Sequence, residues 1–339
     1  MKSISYTRTG ASSVLTLDDV EPAVPGPGEV RVRIAVSGVN PTDWKARANT
    51  SSKSLQRRVP NQDGAGIVDA LGSGVTGLTL GDNVWVWDAA FERTEGTAQE
   101  LAVVPALQVV PLPANASFDV GASLGIPALT AHLALTANEG GPTRLAPDAL
   151  DGRVVLVTGG AGAVGHAAIQ LARWAGATVV TTVSGPEKAE LARAAGADHV
   201  INYREKDVAT AVLAIAADGV DTVVDVNVQA NGATDLAVLK TGGTIASYAA
   251  DSSTPLTVPI GSAMRRNARY QFVLTYTASE SQKSNAVAAV NAAVADGAMP
   301  VGAEHGLPLT RFALADTAAA HDAVEAATVG KVLIDVIDA

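Results

Sequence analysis

One segment limits what this chain can fold into more than any other: Val154-Val155-Leu156-Val157-Thr158-Gly159-Gly160-Ala161-Gly162-Ala163-Val164-Gly165. An apolar, β-branched run enters a glycine-rich turn, and the turn opens into the helix-forming stretch Ala167-Ala168-Ile169-Gln170-Leu171-Ala172-Arg173. Strand, tight turn and helix in that order begin a βαβ unit. Gly159, Gly162 and Gly165 recur at every third position. Small residues let the backbone approach a pyrophosphate. The N–H groups at the helix start, from Ala163 and Val164, face its negative charge, and Gly165 permits close packing of helix on strand. Taken alone, such a motif is also compatible with a tight turn that binds nothing.

The chain downstream continues the alternation. Strands are predicted over 154–157, 178–183, 199–201, 222–226 and 244–247, with Ala- and Leu-rich helical segments between the first four. That pattern implies a doubly wound parallel sheet with right-handed crossovers. The first third reads differently. Pro25-Gly26-Pro27-Gly28 is a turn cluster, and Glu29-Val30-Arg31-Val32-Arg33-Ile34-Ala35-Val36 alternates polar and apolar residues; 66–72 and 82–87 do the same. Short strands between frequent Gly and Pro predict a barrel-like β domain. Helical periodicity runs over 119–124 and 129–136, a loop over 138–151, a long helix over 284–295 and a last strand over 332–336; 302–309 returns to the β style. A chain of 339 residues exceeds one ordinary core. The expectation is an α/β protein in which a β-barrel domain, residues 1–125 and 277–339, receives an inserted dinucleotide-binding domain, residues 126–276.

The dinucleotide is chosen at the end of the second strand of such a sheet, where an acid accepts from a ribose 2′-OH when the cofactor is NAD. Here the chain reads Thr181-Thr182-Val183-Ser184-Gly185-Pro186-Glu187-Lys188, with no acid at the strand end. Ser184 and Lys188 are candidates to hold a 2′-phosphate. Ser184 is equally a candidate helix cap, and Lys188 a solvated lysine. Glu187 suits the first turn of the next helix. Tyr203 and Arg204, after the third strand, lie toward the same end. NADPH is the expected cofactor.

Composition excludes several classes. The net charge of -10 argues against nucleic acid and against an anionic membrane surface. No apolar run approaches the ~18–20 residues of a spanning helix, and the first residues lack an apolar signal core, so a cytoplasmic protein is expected. With no Cys, neither disulfides nor thiolate metal sites form; the five His are scattered, without i, i+4 pairs, and no metal site is expected. No G-x-S-x-G supports hydrolase chemistry.

Further segments, in order along the chain, resemble the zeta-crystallin-like quinone oxidoreductases, the zinc-free branch of the medium-chain dehydrogenase/reductase superfamily. Gly38-Val39-Asn40-Pro41-Thr42-Asp43 resembles their G-V-N-P-x-[DE], Asp63-Gly64-Ala65-Gly66-Ile67-Val68 their D-x-A-G-x-V, and Gly81-Asp82-Asn83-Val84 their G-D-R-V. Gly125-Ile126-Pro127-Ala128-Leu129-Thr130-Ala131 is similar to G-I-P-x-x-T-A, and Gly330-Lys331-Val332-Leu333-Ile334 to the terminal G-K-x-[VL]-[LI]. Two departures stand out. Asn61-Gln62-Asp63 replaces a common G-[ST]-D, and Asp43-Trp44-Lys45 is closer to the enone and alkenal reductases of the same superfamily.

The resemblance implies a GroES-like β-barrel catalytic domain plus a Rossmann domain, NADPH as cofactor, and a homodimer. It puts Asn40 and Thr130 near the nicotinamide, Asn227, Val228, Ser247 and Tyr248 along the cofactor, and Lys331 on it. Val273 and Leu274 fall in a segment that meets the carboxamide and the dimer partner. Lys45 is the candidate to polarise a substrate carbonyl, with pairing to Asp43 as its alternative. Asn40 and Tyr248 are candidates to hydrogen-bond substrate or cofactor. The expected activity is NADPH:quinone reduction by hydride transfer. The alternatives are reduction of α,β-unsaturated carbonyls and a low-turnover, crystallin-like NADPH-binding protein.

Overall fold

A computed structural model describes residues 1–49, 56–250 and 254–336. The chain divides into two compact units: Met1–Ile126 with Leu309–Ala339, and Pro127–Pro308. In chain order, β1 (Lys2–Ser5) pairs antiparallel with β2 (Thr16–Asp19). Then come β3 (Glu29–Val39), α1 (Pro41–Ala48), β4 (Asp63–Leu71), β5 (Asn83–Val86), β6 (Leu101–Pro105), β7 (Val109–Pro111) and α2 (Phe118–Leu135). The second unit holds β8 (Val154–Thr158), α3 (Ala163–Trp174), β9 (Thr178–Val183), α4 (Pro186–Ala194), β10 (His199–Asn202) and α5 (Val208–Ile215). It continues with β11 (Val220–Asp225), α6 (Val228–Val238), β12 (Leu239–Ser247), α7 (Ile260–Arg265), β13 (Arg269–Phe272) and α8 (Glu280–Ala295). The chain then returns to the first unit as β14 (Leu309–Ala313), α9 (Thr317–Glu325) and β15 (Lys331–Asp335).

The first unit is built on β3. Its sheet runs β14-β15-β3-β4-β5-β7, with β6 also on β3. One edge of β3 carries β4 along nearly its whole length. The other is shared, with β6 along Glu29–Arg33 and β15 along 36–39. Register shifts after Arg31 and Ile34 bend the strand so that one 11-residue element serves three partners. The alternation predicted at 29–36 appears as burial of Val30, Val32 and Ile34, which join Val68, Val84 and Ile334 in the core.

The second unit carries a six-stranded sheet in the order β10-β9-β8-β11-β12-β13. Every pairing is parallel. The glycine turn follows β8, the strand at which the order reverses, and that switch point is where open α/β sheets bind ligands. The predicted strands are present. β11 and β12 begin earlier than predicted, Val226 lies outside β11, and β13 adds a sixth strand at the edge.

The second unit runs to Pro308, whereas the sequence placed the return to the first unit at 277. α3 anchors the extra segment. His166 Nε2 donates to His305 O at 2.8 Å, Gln170 Nε2 to Pro300 O at 2.9 Å, and Trp174 Nε1 to Asp296 Oδ2 at 2.9 Å. α8 also starts earlier than the predicted 284, behind a capping box formed by Ser279 and Gln282.

Helix α2 corrects a second expectation. It is 18 residues long with a mean hydropathy of 1.3, long and apolar enough to cross a membrane. It is also 83% buried, as the core helix of a folded domain is. It departs from helical geometry at Gly125, just before Pro127, which separates the two predicted helical stretches.

Candidate functional site

In the second unit, the turn after β8 is fixed from several directions. Gly159 takes φ of +71°, in the left-handed region. Its N–H and that of Gly160 both donate to Thr182 O, at 3.1 and 3.2 Å, which ties the turn to the end of β9. A Cβ at Gly165 would stand 2.4 Å from Gly159 O, so the helix closes on the turn at a distance only glycine allows. Gly162 is the N-cap of α3, and no side chain caps the helix. The N–H groups of Ala163 and Val164 are therefore left for another acceptor. The space before them is open, since a Cβ at Gly162 would meet only Gly159 O, at 3.5 Å. An uncapped helix start behind an open glycine turn fits the pyrophosphate of a dinucleotide.

At the far end of that edge, β10 pairs Asn202 with Val183, and Tyr203 N donates to Val183 O at 3.1 Å. Tyr203 and Ser184 thus leave neighbouring strand ends side by side. The N-cap of α4 is Gly185, so Ser184 is not the cap. Lys188 sits half-buried in the first turn of α4, and among the described residues it makes no salt bridge within 4 Å. The sequence left both Ser184 and Lys188 between two roles, and the structure leaves their side chains available. Val228 has the opposite outcome: it is 2% exposed and belongs to the core under the sheet, so only its backbone can face a ligand. Asn227 caps α6, accepting from Ala230 N at 3.3 Å. Ser247 Oγ donates to Ala249 O at 3.2 Å, and half-buried Tyr248 follows it; burial raises the Tyr248 phenol above its ordinary pKa. Buried Thr130 meets Thr275, in the same segment as Val273 and Leu274, with the hydroxyls 2.6 Å apart. Val273 N donates to Ser247 O at 2.8 Å, and Leu274 beside it is exposed.

The first unit contributes a buried polar cluster at the start of α1. Asn40 is the N-cap, Pro41 follows at N1, and Asn40 N donates to Asp43 Oδ2 at 2.6 Å. The Asn40 amide is held on both sides: Nδ2 donates to Asp63 Oδ2 at 2.6 Å, and Oδ1 accepts from Lys331 Nζ at 2.7 Å. Lys331 Nζ stands 3.6 Å from Asp63 Oδ2, with both side chains essentially excluded from solvent. Asp63 Oδ1 accepts from Ile126 N at 2.9 Å. A Cβ on Gly125 would lie 2.0 Å from that same oxygen, so glycine is required there. Burial pushes Asp63 up and Lys331 down; wherever the proton sits between them, the pair stays neutral as a whole. Asp43 is the unpaired acid of the group. Burial first, then the Asp63 charge, pushes it up to about 8.

Lys331 was expected on the cofactor; at 2% exposure its ammonium donates to Asn40 and lies against Asp63. Lys45 lies on the exposed face of α1 with its ammonium 5.8 Å from the Trp44 ring centroid, while Asp43 faces inward. Pairing of Lys45 with Asp43 is thereby excluded.

Comparison with known proteins places this geometry. Residues 26–114 match the alcohol dehydrogenase GroES-like domain and residues 163–292 the zinc-binding dehydrogenase domain. The chain is 33% identical to the quinone oxidoreductase of Rattus norvegicus over 248 residues, 72% of each chain. It belongs to the quinone oxidoreductase branch of the medium-chain dehydrogenase/reductase superfamily. The quinone oxidoreductase of Pseudomonas aeruginosa is 35% identical over 212 residues, 62% of each chain. The Escherichia coli quinone oxidoreductase complexed with NADPH superimposes with a TM-score of 0.80 at 26% identity, covering 99% of this chain and 100% of that one.

Membership in the quinone oxidoreductase branch accounts for the parts around the site. The second family model is named for zinc, yet this chain has no Cys. Among the described residues no group of three or more His, Asp or Glu is placed to hold a metal ion. His132, His166 and His321 are buried and held neutral by desolvation, at about 4, about 4 and about 3. His321 Nε2 donates to Asn61 Oδ1 at 3.0 Å. Asn61, where other branch members often carry glycine, takes φ of +76°, a conformation that Asn tolerates better than other side chains.

Proposed function

We propose that this chain reduces quinones with NADPH. The observation that carries the proposal is the phosphate-ready edge of the second unit. The uncapped start of α3 lies behind an open glycine turn, and the neighbouring strand end offers Ser184, Lys188 and Tyr203 with no acid. An acid there would repel a 2′-phosphate; a lysine attracts it. The NADPH complex of the Escherichia coli relative, similar over its full length, supports the same cofactor.

When bound, the nicotinamide supplies a hydride, and the protein supplies orientation and charge. Ala163 and Val164 N–H groups bind the pyrophosphate, and Ser184 and Lys188 the 2′-phosphate. Asn227, Ser247, Tyr248 and Val273 line the same sheet edge through side chain or backbone, and Thr130, oriented by Thr275, holds the carboxamide end. Asn40, its amide plane fixed by Asp63 and Lys331, keeps one amide N–H beyond the one given to Asp63. Lys45 stabilises charge developing on the substrate oxygen. Four exposed apolar side chains around β13, namely Ile260, Met264, Phe272 and Leu274, support a homodimer through that edge. An acidic protein of this kind works in the cytoplasm, on small molecules rather than on nucleic acid or membranes.

The test follows NADPH absorbance with a panel of quinones and α,β-unsaturated ketones and aldehydes. Turnover of quinones above the enones is the expected outcome. Preference for enones moves the substrate to that class, and tight NADPH binding without turnover makes the chain a binding protein.

A further inference from the structure

The crevice of an open α/β sheet forms where neighbouring strands send their chains to opposite sides, which here is between β8 and β11. The two strands pair in parallel from Val155 with Thr222 to Val157 with Val224. One residue further on, side chains take over from the backbone. Thr158, the last residue of β8, and Asp225, the last of β11, are both buried. Thr158 Oγ1 donates to Asp225 Oδ2 at 3.0 Å and accepts from Val226 N at 3.0 Å. Asp225 Oδ2 also accepts from Asn231 Nδ2 at 2.8 Å, and its Oδ1 accepts from Asn227 N at 2.6 Å. Its backbone oxygen accepts from Tyr248 N at 3.1 Å. One residue thus ties together the chain entering the glycine turn, the chain entering α6 and the chain leaving β12. The hydride-transfer scheme above uses none of these contacts.

We propose that Asp225, acting through Thr158, is a positioning residue for the dinucleotide. The two side chains fix how far the glycine turn after β8 stands from the Asn227 turn after β11, and so the opening that receives the pyrophosphate. The bridge is directional. The Thr158 oxygen takes the Val226 N–H, so its single proton is committed to Asp225, which can only accept. A side chain of the same shape without the hydroxyl loses both bonds and leaves Val226 N–H without that acceptor. The glycine turn feels any shift of this strand end directly, because a Cβ at Gly159 would stand 3.2 Å from Val226 Cγ1. Gly159, at φ of +71°, in turn sets where the uncapped start of α3 lies. The helix N–H groups that meet the pyrophosphate therefore take their place from a buried bridge that does not touch the cofactor.

This role rests on the dinucleotide reading above, and the ligands of the test are chosen to separate the two. Adenosine 2′-monophosphate carries the part of NADPH assigned to Ser184 and Lys188 and lacks the pyrophosphate. Calorimetric titration gives dissociation constants of NADPH, NADH and adenosine 2′-monophosphate for the wild type, Thr158→Val, Thr158→Ser and Asn231→Ala. Thr158→Val should weaken NADPH and NADH alike, by roughly tenfold, and leave adenosine 2′-monophosphate unchanged. Thr158→Ser, which keeps the hydroxyl, should restore most of the affinity. Asn231 is half-buried on α6, so Asn231→Ala removes one donor from Asp225 while the strand ends stay intact, and should give the same pattern at smaller size. Equal losses for NADPH and adenosine 2′-monophosphate mean that the substitutions loosen the whole sheet, and overturn the positioning role. Unchanged NADPH constants in both Thr158→Val and Asn231→Ala overturn it too. A wild type that binds neither NADPH nor adenosine 2′-monophosphate overturns the dinucleotide reading itself, and this role with it.

Discussion

Lys331 donates to the side-chain oxygen of Asn40 at 2.7 Å, across 291 residues of sequence. The contact joins the last strand to the first helix of the first unit. It also fixes which way the Asn40 amide points, because a lysine ammonium has only protons to give and must meet the amide oxygen. The nitrogen is thereby turned to Asp63.

Removing that ammonium leaves Asp63 buried without a cation. Lys331→Met, which keeps the stem and removes the charge, should lower the unfolding free energy by about 3–5 kcal/mol. Denaturant titration at neutral pH measures it. A loss below about 1 kcal/mol is what a solvated surface pair gives, and would contradict the buried geometry. Adding Asp63→Asn should recover part of the loss, because the unpaired charge is then gone.

Asp43 should make stability fall as pH rises. In the folded state it holds its proton to about 8, while the unfolded chain releases it near 4. Between those values the native state binds more protons than the unfolded state, so each step up in pH favours unfolding. The contribution is complete below about pH 4 and lost by about pH 8, and four pH units at about 1.4 kcal/mol each make it roughly 5 kcal/mol. Thermal midpoints across that range should slope downward in the wild type and flatten in Asp43→Asn.

Lys188→Ala should weaken NADPH and leave NADH nearly unchanged. Lys188 makes no described salt bridge, so its loss orphans no acid, and stability should hold. A charge-assisted contact to a phosphate is worth ~1.5–3 kcal/mol, about 10- to 150-fold in the dissociation constant. Calorimetric titration with both cofactors measures it; an equal loss for the two means that Lys188 does not meet the 2′-phosphate.

Lys45→Met should lower kcat at least about tenfold while NADPH affinity holds, if the ammonium stabilises charge on the substrate oxygen. The exposed position of Lys45, over Trp44 and away from Asp43, makes the substitution structurally mild. An unchanged kcat makes it a surface lysine, and hydride transfer then relies on cofactor orientation and solvent.

The sequence by itself determined the parts whose physics is local. A strand, a glycine turn and a helix announce themselves in Val154–Gly165 because periodicity and left-handed backbone are properties of neighbouring residues. The alternation at 29–36 did the same for β3, and the missing acid after Val183 was readable because its place is set by the end of one strand. Tertiary structure decided the parts that need distant residues. The return to the first unit at Leu309 depends on what α3 binds, and nothing within 277–308 reports a contact with His166 or Gln170. Lys331 was placed on the cofactor by the resemblance of its segment to a terminal family motif; only the fold brings Asn40 and Asp63 around its ammonium. The donors on buried Asp225, from Thr158, Asn227 and Asn231, converge only because β11 and α6 pack together, and burial of that kind is written in the chain nowhere before it folds.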